Sequence, residues 1–142
     1  MEDNMKQLLE EAYQGTIMEH PELAKLPKPH IPNPQDAVLD QILDVINAQT
    51  WFLKSSEIMM EYTIEGPEKQ GLRYRRDCSQ LWLDRAIILF EEFASTEDRV
   101  HQKIALLREL LWISTYPYFT EFQRENFIPI WNDQVIVWAQ RV

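Results

Sequence analysis

Residues 67–119 carry two runs of apolar side chains at helical spacing, separated by the short break Ala-Ser-Thr-Glu-Asp at 94–98. In the first run Tyr74, Cys78, Leu81, Trp82, Leu89 and Phe93 recur at offsets of three, four or seven, with Arg85 and Ala86 between them. In the second, Val100, Ile104, Leu107, Leu111 and Ser114 repeat in the same way, and Leu110 widens the stripe. A period near 3.6, with strict alternation absent, specifies helices rather than strands. Stripes of this kind cannot be left in water. The two runs are therefore expected as a pair of long antiparallel helices that cover each other and recruit further helices. Ser95, with Asp98 three places on, has the form of a capping box and sets the expected start of the second helix. Pro117 has no N–H to donate, so that helix is expected to end near Thr115.

Composition points the same way. Three Gly in 142 residues are too few for the tight turns of a many-stranded sheet. A chain of this length buries roughly 70% of its unfolded surface as one domain, without needing disulfides or metal. The single Cys78 excludes an internal disulfide and a cysteine-rich zinc site, and suits a reducing compartment. Fourteen basic against 23 acidic residues give a net charge of −9, which disfavours a nonspecific nucleic-acid binder. The opening MEDNMKQLLEEAY lacks the basic-then-apolar pattern of a secretory signal. The longest apolar run, 86–90, is far short of the roughly 20 residues that span a bilayer. The expected location is cytoplasmic, away from membranes.

Along the chain, Met5, Leu8, Leu9, Ala12 and Tyr13 predict a short amphipathic helix ended by Gly15. Pro21, Pro27, Pro29, Pro32 and Pro34 then predict a semi-rigid strap, pinned by Leu23, Leu26 and Ile31 and containing a PxxP spacing from Pro29 to Pro32. Asn33–Pro34 reads as a helix start, with Val38, Ile42, Val45, Ile46 and Leu53 forming a stripe toward Tyr62. The polar stretch around Trp51 and Phe52 suggests a bend in that helix. Thr120 predicts the cap of a short helix holding Phe122 and Phe127. Pro129 separates it from a last helix carrying Trp131, Val135 and Trp138. The expected fold is all-α: an antiparallel bundle of four main helices with short extra helices at both ends. It occupies 1–142 as one domain, with the first helix and strap in 1–34 and the bundle in 35–142.

No catalytic motif is visible. A di-iron bundle needs two Glu-x-x-His pairs and two further Glu. Of the three His, only His101 lies on a long helix, with Glu97 and Asp98 before it. No metal and no cofactor are expected. Cys78 falls on an apolar stripe and reads as a core residue despite Arg75 and Arg76 nearby. Glu91 and Glu92 point about 100° apart and read as a solvated face.

Two clusters are candidate contacts. Trp112, Tyr116, Tyr118, Phe119, Phe122, Trp131 and Trp138 concentrate rings in the final third, where an exposed patch would serve docking to another protein or a homodimer. Arg73, Tyr74, Arg75 and Arg76 place cations early in a helix, against its dipole, which calls for acidic compensation or an anionic partner. Glu61, Glu65 and Asp77 are the expected compensating residues. The functional expectation is a non-enzymatic protein–protein interaction module (a small adaptor, regulator or inhibitor) that self-associates or docks through the aromatic third. The alternative is a nucleotide- or RNA-binding protein using the arginine cluster, with Tyr74 as stacking platform.

Overall fold

The structure is a computed structural model in which residues 2–26, 28, 29 and 35–142 are described, with residues 2–6, 8 and 9 considered as backbone only. Among the described residues there are six α-helices and one 3-10 turn, and no strand. The helices are α1 (Glu2–Glu19), α2 (Val38–Glu61), α3 (Pro67–Ala94), α4 (Arg99–Thr115), α5 (Glu121–Asn126) and α6 (Ile128–Arg141), with the 3-10 turn at Pro21–Lys25. The expected all-α bundle is present. His30, Ile31, Asn33, Pro34 and the far end of the PxxP spacing lie outside the described residues, and the helix expected to open at Asn33–Pro34 begins instead at Val38, after Ala37.

Local chemistry explains most boundaries. Gly66 takes φ +156°, a conformation that a side chain would strain, and so turns the chain between α2 and α3. Pro67 follows in the first turn of α3, where its missing N–H costs nothing. The start of α4 differs from expectation. Asp98 is the N-cap, its Oδ1 accepting from the Val100 N–H at 2.9 Å, while Ser95 closes α3 by donating its own N–H to Glu91 O. A carboxylate two residues before a free N–H is a better acceptor than a serine that is still held in the preceding helix. Thr120 and Gln123 form a reciprocal capping box at 3.1 and 3.0 Å that starts α5.

One other expectation is corrected, at the end of α1. α1 runs past Gly15 to Glu19, because one interior glycine costs only about 1 kcal/mol whereas Pro21 disfavours helix in the residue before it. α2 is uninterrupted through its polar middle. The Thr50 and Ser55 hydroxyls donate back to the carbonyls of Ile46 and Phe52, so these side chains are satisfied within the helix.

Tertiary pairing also departs from the sequence reading. α3 lies chiefly along α2, and α4 packs more extensively on α6 than on α3. The core is built around α6: Trp131, Val135 and Trp138 are fully buried, with Phe127, Leu106, Leu89, Ala86 and Ile42 around them. Trp82 meets Trp131 edge-on at 5.0 Å, and Trp131 meets Trp138 in the same way at 5.8 Å. Two buried indoles bind polar partners: Trp138 Nε1 donates to Gln41 Oε1 at 2.8 Å, and Trp131 Nε1 to Glu109 Oε1 at 3.0 Å. Glu109 also takes a bidentate grip from Arg85, at 2.8 Å to Nε and 2.6 Å to Nη2. The Arg85 guanidinium lies 3.8 Å from the centre of the Trp112 ring. One buried carboxylate thus joins α3, α4 and α6.

Candidate functional site

α4 buries a different face from the one its longest stripe suggests. Ala105, Leu106, Glu109 and Ile113 point inward. Val100, Ile104, Leu107 and Leu111 remain 65, 40, 50 and 62% exposed. Helical geometry explains the exchange. At about 100° per residue, Glu109 lies opposite Leu107 and Leu111, so turning the carboxylate toward Arg85 turns the leucines outward. The exposed residues follow steps of four, three and four, the spacing of a coiled-coil seam. At the same angular step Lys103 and Arg108 flank the seam on opposite sides. Both are exposed, as is Arg99, and among the described residues none of the three has a carboxylate partner. Glu109 is the only acid within α4, and it is buried and paired. A chain of net charge −9 therefore presents one apolar strip edged in positive charge.

The aromatic third divides in two. Trp131, Trp138 and Phe119, expected at a docking surface, are buried in the core, the two tryptophans on α6 and Phe119 in the connection between α4 and α5. Trp112 and Phe122 are half-buried against the core. Only Tyr116 and Tyr118 stand well exposed, 5.6 Å apart edge-on, just beyond the end of α4. Tyr116 also stacks on Trp112 at 4.9 Å.

The arginine cluster is largely compensated. Arg73 pairs with Glu65 at 2.5 Å across the Gly66 turn and with Gln70 at 3.2 Å. That guanidinium holds the Glu65 carboxyl below the usual carboxylate range. Asp77 binds Arg76 at 3.1 Å rather than Arg73. Tyr74 stacks on Phe122 at 4.9 Å, so one face of the ring is already occupied. Arg75 alone is exposed without an ion pair among the described residues.

Arg75 lines two neighbouring cavities, of about 470 and 570 Å³, that share Met59 and Leu72 in their walls. The smaller lies where α1, α2, α3 and α5 meet, and both are within the roughly 300–1,000 Å³ typical of small-molecule sites. Trp51 lines it, and its buried Nε1 has no acceptor among the described residues, unlike the indoles of Trp131 and Trp138. A buried donor left this way costs about 1–3 kcal/mol. Sequence periodicity did not single out Trp51, Ser56 or Ser79, because an orphan donor and small-residue gaps between helices are properties of packing.

The remaining candidates are quiet. Burial, aided by the neighbouring Asp77 charge, pushes the Cys78 thiol up to about 11, which keeps it protonated and unreactive at neutral pH. His101 is exposed, with Nδ1 2.7 Å from Asp98 Oδ2. No three His, Cys, Asp or Glu side chains gather as metal ligands among the described residues. No described helix is long and apolar enough to cross a membrane. Comparisons with protein-family models, curated proteins and solved structures found no match to this chain.

Proposed function

We propose that the chain is a non-enzymatic protein–protein interaction module, an adaptor, regulator or inhibitor in kind, whose partner lies along the outer face of α4. The supporting observation is the exposed seam of Val100, Ile104, Leu107 and Leu111 between unpaired Lys103 and Arg108. An apolar seam at heptad spacing fits a helix laid alongside it, and the basic margins select one with acidic flanks. A second copy presenting its own α4 would set lysine and arginine against like charges. The proposed occupant is an acidic amphipathic helix of another protein, with Tyr116 and Tyr118 extending the contact beyond the end of α4.

The test uses a synthetic helix with Leu at heptad a and d and Glu at e and g, titrated by fluorescence anisotropy. It should bind at least about tenfold more tightly than the same peptide with Lys at e and g, with the difference shrinking at high salt. Equal affinity for the two peptides would reject the reading. A dimer in sedimentation that dissolves on substituting Leu107 and Leu111 would assign the face to a second copy instead.

Nucleotide or RNA binding through Arg73, Tyr74, Arg75 and Arg76 is the weaker reading. Glu65 and Asp77 already occupy two of its cations, and Phe122 one face of its ring.

A further inference from the structure

The smaller Arg75 cavity is a site separate from the α4 face, and two observations converge on it. It carries one guanidinium, Arg75, with no ion pair among the described residues, while Arg73 and Arg76 are held by Glu65 and Asp77. Its walls combine the rings of Trp51, Trp82 and Phe122 with the buried serines Ser56 and Ser79, one on α2 and one on α3. Rings select a flat apolar body, and a guanidinium without an ion pair selects an anion with acceptor oxygens. The charge count sets the class more narrowly. A single unpaired cation matches a single negative charge, whereas a di- or triphosphate would leave most of its charge unmet.

We propose that this cavity binds an aromatic monocarboxylate. The carboxylate pairs with Arg75, and the ring packs among Trp51, Trp82 and Phe122. Cys78 lines the same cavity with a protonated thiol, so the site holds its ligand without covalent chemistry.

The probe is 2-naphthoate, titrated into the full chain by calorimetry, with the uncharged 2-naphthalenemethanol as comparison. Saturable one-to-one binding of naphthoate is expected, with the alcohol at least about tenfold weaker. Arg75→Gln should cost about tenfold in naphthoate affinity and leave affinity for the alcohol unchanged. Lys54→Gln, on α2 but outside the cavity lining, should change neither. In the amide NMR spectrum one indole N–H signal, identified by its loss in Trp51→Phe, should shift on titration. If Trp51→Phe does not fold, assignment of the unmodified chain supplies the same signal. Absence of saturable naphthoate binding, equal affinity for the alcohol, indifference to Arg75→Gln or a static Trp51 signal would each overturn the proposal. Adenosine monophosphate or single-stranded RNA binding more tightly than naphthoate through Arg75 would overturn it in favour of a nucleotide site.

Discussion

α4 and α6 are both amphipathic helices, neighbours in the core, and they treat their apolar stripes in opposite ways. α6 hides Trp131, Val135 and Trp138 completely. α4 leaves Val100, Ile104, Leu107 and Leu111 in solvent and buries four others, one of them charged. α6 has one apolar face suited to the core, so its period identifies the inner side. α4 is apolar on two faces separated by polar residues, and the core takes only one of them. The pair teaches that periodicity establishes a helix. Which of two apolar faces turns inward is decided by the polar groups that must be satisfied.

The contrast can be tested by substitution on either side of it. Trp131→Ala should be the most damaging change, costing about 4–5 kcal/mol in chemical denaturation, because it empties the centre of the core and removes a donor from Glu109. Glu109→Ala leaves the Arg85 guanidinium without its carboxylate. Arg85 keeps 16% side-chain exposure, so the low end of the penalty for breaking a buried pair applies, about 3 kcal/mol by the same measurement. Trp138→Phe keeps an aromatic ring and removes the donor to Gln41, which should cost about 1–2 kcal/mol. Leu107→Gln with Leu111→Gln should change stability by less than about 0.5 kcal/mol and yet abolish binding of the Glu-flanked helix. A large stability loss in that double variant would show that α4's outer face is part of the fold, and the contrast with α6 would collapse.

Local features of the fold were legible in the sequence, and face-to-face relations were not. Pro67, Thr115, Thr120 and Pro129 mark helix ends through chemistry confined to a few residues, and the structure places ends there. Adjacency in sequence points α3 toward α4, and the two do meet, but α2 offers α3 the longer matching surface. Trp131 and Trp138 were expected at a surface because the tally of rings looked too large for a small core. Their mutual packing with Trp82, and their side-chain acceptors, show how such a core absorbs them. The Arg73–Glu65 pair was readable across a short turn. Arg85–Glu109 spans 24 positions and was missed, although each charge interrupts an apolar stripe, and that is the signal that would have found it. Trp51's lone N–H left no trace in the sequence at all.

The Glu109 clasp has a consequence for how α4 sits. Oily side chains tolerate many rotations of a cylinder about its own axis, since one methyl group replaces another at little loss. A fork of two hydrogen bonds to Arg85 and a third from Trp131 tolerates only one. The roll angle of this helix is therefore set by a single ionised group on its hidden side, which acts as a keyway and holds the leucines on the far side at a fixed bearing.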